Sequence, residues 1–376
     1  MSDRYHRQRL LPEIDQDRLR SSSVLLLGAG ALGNEVVSHL AAAGVGHLVV
    51  VDFDRVELTN LHRTLLFRDE DIGLSKARVA AREARRINPE LRIEAVDGDF
   101  RFALGLGTFR RASVVVGCVD SVEARVAAAQ LCALAGVPYI DGGTGGLIGE
   151  VRHYLPGDGP CYACAVGGEG RRRLLTRWSC SGLALTSVGE GERPALGAIS
   201  GVVGSHQAMA TLLALLGRQE SWGTAHVYDA LRGKMGPVRL PRDPACQNHD
   251  EPLPIAASHG GTSAQTRALD LEAALGPIDG IRLRHTLVVD LVCVCGKRER
   301  ILRPLAALEP EVLRCPACGQ ERSPETLETI PRQHELWSRL LADLAVPSGD
   351  VVGLLGEGAT RWVELGGDRV IEEEEP

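Results

Sequence analysis

Between residues 24 and 52 a strand, a glycine turn, a helix, a second strand and an acid follow one another, and no other part of the sequence constrains the fold as much. Val24 to Leu27 is an uninterrupted apolar run, the pattern of a strand buried on both faces. It enters Gly28-Ala29-Gly30-Ala31-Leu32-Gly33, a spacing that opens a helix and turns backbone amides toward a phosphate. The helix is expected to reach about Ala43, and a second strand spans His47 to Val51. Asp52 then stands 19 positions after Gly33, where a carboxylate suits a ribose hydroxyl. The run predicts a dinucleotide-binding βαβ unit.

The alternation continues beyond it. A helix is expected over Leu74 to Ile87, ended by Asn88-Pro89, then a strand over Arg92 to Val96 and a buried strand over Ser113 to Cys118. A helix over Val122 to Ala135 and a strand over Pro138 to Ile140 follow, so the economical fold is α/β, a Rossmann-like, largely parallel sheet. Residues 165–197 lose periodicity and are expected to form a long crossover loop. A helix over Ala198 to Leu216 and strands near His226 to Tyr228 and Pro237 to Leu240 would close this first domain, 1–250. A linker over 251–284, a cysteine-bearing zinc ribbon over 285–330 and a small α/β segment over 331–376 with an acidic tail complete the expected order. A helix is expected there over Glu335 to Leu344.

Composition narrows the classes of function. A formal net charge of -7 lacks the basic footprint that sequence-independent nucleic-acid binding requires, so no nucleic-acid partner is expected. The most apolar run, Ile199 to Leu216, is interrupted by Ser200, Ser205, His206 and Gln207, so no membrane span is expected. The beginning MSDRYHRQRL has no apolar core of a secretory signal, and a cytoplasmic location is expected. Of ten cysteines, eight lie from Cys161 onward, mostly in closely spaced pairs, which without an export signal favours zinc over disulfides. Among 42 basic residues only Lys76, Lys234 and Lys297 are lysines, so each stands against a preference for arginine.

The glycine turn by itself favours an NAD-binding oxidoreductase domain over triphosphate chemistry. The polar set after it does not: Asp52-Phe53-Asp54, Thr59-Asn60-Leu61-His62-Arg63 and Gly73-Leu74-Ser75-Lys76. Cleavage at the α-phosphorus of a triphosphate needs cations around the developing charge and an acid that can hold magnesium. Taken in order with Arg4-Tyr5-His6-Arg7-Gln8 and Cys118-Val119-Asp120, these six motifs resemble the ThiF/MoeB family, which includes the adenylation domains of ubiquitin-activating enzymes. The resemblance covers about residues 1 to 250.

That resemblance implies ATP and Mg2+ as cofactors. It places Gly28, Gly30, Ala31, Gly33, Asp52 and Asp54 around the nucleotide, Asn60, Arg63 and Lys76 on the phosphates, and Asp120 beside magnesium and the α-phosphate. Arg7 is similar to the family arginine that reaches the nucleotide of a neighbouring subunit, which implies a homodimer. The substrate implied is the C-terminal glycine carboxylate of a small ubiquitin-like carrier protein ending in Gly-Gly, converted to an acyl-adenylate. The leading expectation is an activating enzyme of the ubiquitin-like type, with a conjugating-enzyme-like protein as a further partner. A sulfur-carrier adenylyltransferase is the alternative, and a non-catalytic nucleotide-binding scaffold is an alternative of another class. Cys180 lies in the crossover loop where the family often keeps a nucleophilic cysteine, but its register there leaves both readings open, thioester nucleophile or loop cysteine without a catalytic role.

Cys161-Tyr162-Ala163-Cys164 is half of a zinc site, and the family pattern places the other half at Cys246-Gln247-Asn248-His249, with His249 where a cysteine is usual. Cys293-Val294-Cys295-Gly296 and Cys315-Pro316-Ala317-Cys318-Gly319 form a second, four-cysteine set. Two structural Zn2+ ions are therefore expected. Cys118 and Cys132 are expected to be core residues.

Overall fold

The computed structural model describes residues 4–157, 159–166, 195–218, 221–246, 248–249, 251–356 and 358–367. An eight-stranded sheet runs in the order β3-β2-β1-β4-β5-β6-β7-β8. Its strands are β1 Ser23–Leu27, β2 His47–Asp52, β3 Arg92–Asp97, β4 Val114–Gly117, β5 Tyr139–Gly145, β6 Ile148–Tyr154, β7 Thr224–Asp229 and β8 Lys234–Arg239. Pairing is parallel from β3 through β5 and antiparallel from β5 through β8. Strand β6 was not anticipated: it returns directly from β5 and begins the antiparallel edge.

The apolar runs read as strands buried on both sides are buried that way. Val24, Leu26, Leu48, Val50, Val114 and Val116 pack into one core with the helices α2 Ala31–Ala43, α3 Lys76–Ile87 and α7 Gly197–Leu215. Leu25, Leu27, Val49, Val51 and Val115 face the opposite core, with α5 Leu106–Arg111 and α6 Val122–Ala135. Helix α7 is long and apolar enough to cross a membrane by length and composition, with half of that stretch buried inside the protein. Its Gln207 side chain donates to the carbonyls of Gly117 (2.8 Å) and Ile140 (3.2 Å), which ties it to the sheet.

The C-terminal part differs from the expected division. Residues 251–284 are not a linker: they hold β9 Ile255–Thr262, the helix α8 Ala268–Leu275 and the start of β10 Gly280–Cys293. A six-stranded sheet runs β11-β10-β13-β14-β9, with β12 also paired to β10, where β11 is Arg298–Pro304, β12 Arg322–Pro331, β13 Val351–Gly356 and β14 Ala359–Gly366. The cysteine knuckles therefore cap one end of a larger domain whose core joins Leu271, Ile281, Leu287, Ile330, Leu354 and Val363. So few residues between the knuckles could not bury such a core by themselves. The helix expected over 335–344 is two 3-10 turns, Glu335–Ser338 and Ala342–Leu344, because the Leu341 amide donates to Thr266 O instead of continuing a helix (2.9 Å). Most of the expected crossover loop, the residues 167–194 with Cys180 among them, and the acidic tail lie outside the described residues.

Candidate functional site

The carboxyl ends of β1, β2 and β4 meet at one edge of the large sheet, the position where open α/β sheets bind ligands. The glycine turn leaves β1 with Gly28 at φ +95°, and a Cβ there would lie 2.7 Å from the Cys118 carbonyl oxygen. Gly33 sits directly over the Gly28 carbonyl, so a side chain at either position would push the turn away from the sheet. Asn34 locks the geometry: its amide donates to Ala29 O (2.8 Å), and its Oδ1 accepts from Leu66 N (2.9 Å). This ties the turn to the polar loop that follows β2.

Asp52 ends β2. One of its oxygens accepts from the Ala29 amide (2.7 Å) and the other from the Asp54 amide (2.8 Å). Burial pushes its carboxyl pKa up from the ordinary value, opposed by those two amides and by Lys76. The loop after Asp54 doubles back, with Val56 N donating to Leu74 O (2.9 Å) and Lys76 N to Asp54 O (3.0 Å). That return is why Lys76, 22 positions later, places its ammonium 2.7 Å from the Asp54 carboxylate. Asn60 is buried in the same loop and accepts from Glu57 N (3.0 Å), while Arg63 donates to Thr59 O (2.6 Å).

Asp120 is exposed in the turn between β4 and α6, whose Cys118 carbonyl faces Gly28 of the glycine turn. Three buried residues that the sequence reading did not single out hold this turn. Arg125 donates to Val119 O (2.8 Å) and to the Asp141 carboxylate (2.6 Å), and Tyr139 donates its hydroxyl to the other Asp141 oxygen (2.8 Å). Burial raises the Asp141 pKa and the adjacent Arg125 lowers it, the balance of a paired buried charge. The only signal in the sequence was an acid directly after a predicted strand. Cys132 is buried in one core and the half-buried Cys118 packs against the other, and burial pushes both thiols upward. Arg7 is exposed just ahead of the 3-10 turn Gln8–Leu10, and Tyr5 beside it is buried and accepts from Asn88 Nδ2 (2.9 Å).

Both cysteine clusters assemble. Cys161 Sγ lies 3.8 Å from Cys164 Sγ and 3.7 Å from Cys246 Sγ, and His249 Nε2 lies 3.1 Å from Cys164 Sγ. A tetrahedral zinc with bonds of about 2.3 Å to sulfur needs sulfurs about 3.75 Å apart, so this donor set fits zinc. In the second cluster Cys295 to Cys315 is 3.8 Å and Cys293 to Cys318 is 3.4 Å. The amides of Ala317 and Cys318 point at the Cys315 sulfur, the first of them the larger cause that brings its thiol down to about 6. Among the described residues a third cluster, His153, His206 and His226, also brings its ligand atoms within 4.8 Å of one another, and the sequence reading missed it.

Comparison with known proteins agrees with this architecture. The chain is 34% identical to a sulfur carrier protein adenylyltransferase of Thermus thermophilus over 283 residues, 73% of this chain and 96% of that protein. It is 35% identical to the adenylyltransferase and sulfurtransferase MOCS3 of Sus scrofa over 64% of this chain and 51% of that protein, so it spans about half the length of that relative. In fold it is similar to E. coli MccB solved with ATP, at 22% identity and a TM-score of 0.55, covering 66% of this chain and 74% of that one. Residues 4–248 match the ThiF family, which includes the glycine turn, Asp52, Lys76, the Asp120 turn and the first cysteine pair. The chain belongs to the ThiF family.

Proposed function

We propose that the protein uses ATP to adenylate the C-terminal carboxylate of a small carrier protein. The observation that carries this is the meeting of the glycine turn, Asp52, the Lys76–Asp54 pair and the Asp120 turn at the carboxyl ends of three adjacent strands. In this reading a carrier carboxylate oxygen attacks the α-phosphorus, and the bond from that phosphorus to the pyrophosphate oxygen breaks. The glycine-turn amides and Lys76 hold the phosphates, and Asp52 receives the ribose. Rate comes from alignment and from stabilising charge on the leaving pyrophosphate. Asp120, an exposed carboxylate beside the turn, suits a hard cation and would hold magnesium, which supplies charge neutralisation at the phosphates. Arg63, Asn60 and, from a second subunit of a homodimer, Arg7 complete the proposed phosphate contacts. The two thiolate clusters are proposed as structural zinc sites, since each set of four donors fills a tetrahedron and leaves no position for substrate.

Resemblance to the Thermus thermophilus sulfur carrier protein adenylyltransferase supports the sulfur-carrier reading over the conjugation reading favoured by sequence alone. A carrier ending in Gly-Gly and a cytoplasmic location belong to the same proposal. The test is ATP–pyrophosphate exchange with magnesium and candidate sulfur-carrier and ubiquitin-like proteins. Sulfur carriers are expected to stimulate exchange, and Asp120→Ala is expected to reduce it about 100-fold or more, the scale of a lost transition-state contact. Full exchange in Asp120→Ala would remove that residue from the chemistry. An ATP-dependent adduct cleaved by a reducing agent and absent in Cys180→Ala would restore the thioester reading.

A further inference from the structure

Strands β6 and β7 pair with Val151 opposite His226 and Arg152 opposite Ala225. Side chains alternate along a strand, so Val151, His153 and His226 share one face, with His153 and His226 diagonal neighbours. Helix α7 covers that face: Val203 packs where a Cβ on Gly149 would lie, and His206, nearly one turn farther, comes over the two strand histidines. The His206 and His226 ring centroids are 4.9 Å apart, and those of His153 and His226 are 5.5 Å apart. Trp222 closes one side with its ring edge-on to His153 at 6.0 Å.

Three imidazoles gathered in this way need a reason. His153 is 5% exposed, yet its Nε2 has no hydrogen-bond partner among the described residues, and neither does the buried Nδ1 of His206. Leaving a buried nitrogen without a partner is unfavourable, and this cluster holds two. Burial and the neighbouring histidines push the His153 pKa down to about 4, and that of His206 downward as well, a direction that favours the neutral ring. Neutral imidazole is the form that binds metal.

We propose that His153, His206 and His226 form a third metal site, a three-imidazole centre for a borderline divalent ion such as zinc or cobalt, separate from the nucleotide crevice and from both cysteine clusters. Zinc bonds of about 2.0–2.1 Å to nitrogen need nitrogens roughly 3.3 Å apart. The candidate atoms lie within 4.8 Å of one another, and small rotations of the half-buried His206 and His226 rings would close the remainder around a bound ion. Among the described residues the cluster is made of imidazoles alone, which favours zinc and its neighbours over calcium or magnesium. Three protein ligands leave a fourth position open to water.

The experiment titrates cobalt(II) into full-length protein whose cysteine sites have been filled with zinc, followed by calorimetry and visible absorption. The expected result is one further ion per chain, with ligand-field bands but no thiolate-to-cobalt charge transfer. His206→Ala and His226→Gln should each lose that ion while retaining the zinc already bound and an unchanged circular dichroism spectrum. Uptake of no further ion would overturn the proposal and leave a buried water between the imidazoles and the Trp222 indole as the occupant. Retention of the ion by both variants would overturn it equally. Should one variant fail to fold, the other gives the same reading from a different element.

Discussion

At the residue scale the nucleotide crevice depends on backbone approaches that only particular residues permit. Gly28 combines φ +95° with a Cβ position 2.7 Å from a carbonyl oxygen of a neighbouring turn, and neither atom belongs to a flexible side chain. Gly28→Ala is therefore expected to destabilise the fold by about 1–3 kcal/mol and to weaken ATP binding, as read by urea denaturation and nucleotide titration. Normal stability and affinity would show that the turn can shift without cost. Asp52 and Lys76 were legible from sequence because they follow the glycine turn in a short, ordered series. Arg125 and Asp141 were not, since an arginine on a largely apolar helix gives no local sign that it reaches a buried carboxylate 16 positions away (2.6 Å).

Among the elements, the cysteine knuckles tie together the ends of strands in the six-stranded sheet. Cys293 ends β10 and Cys295 lies in the turn after it, while Cys315 and Cys318 precede β12, so the four thiols join two strands that pair along much of their length. Metal bound there adds its binding energy to the folding of that strand pair. Cys315→Ser is expected to lower the zinc content by about one ion per chain and to make β10 to β12 the first region to exchange amide hydrogens. Zinc content unchanged from the parent protein would count against this cluster as a metal site. Helix α3 shows the limit of periodicity: it begins at Lys76 and not at Leu74, because the returning loop occupies Leu74 O with the Val56 amide (2.9 Å).

At the scale of the whole molecule the two sheets are joined through α5. The Asp350 carboxylate, 1% exposed, accepts from the Leu106 amide at the start of α5 (2.9 Å) and from Arg284 on β10 (2.7 Å). Nearby, Glu364 pairs with Arg110 and Arg111, and Val351 enters the core beneath the large sheet. Asp350→Ala would leave a buried amide and a guanidinium without their acceptor. The expected loss is about 2–4 kcal/mol, seen by denaturation as the C-terminal domain melting ahead of the rest. A single transition at the parent midpoint would contradict this role.

The βαβ start, the parallel centre of the large sheet, the order of the motifs around the glycine turn and both cysteine half-site pairs are legible locally, because each is encoded in residues a few positions apart. Tertiary structure alone decided that 251–284 belongs to a folded domain: β9 is exposed on alternate residues and finds its partner only in β14, about a hundred positions later. It also decided the Arg125–Asp141 support under the Asp120 turn and the gathering of His153, His206 and His226 from two strands and a helix. Local sequence sets strand, turn and helix through backbone preference and the period of burial. Contacts between residues far apart are fixed only when the elements pack, and they leave no pattern in the stretch of chain that contains either partner.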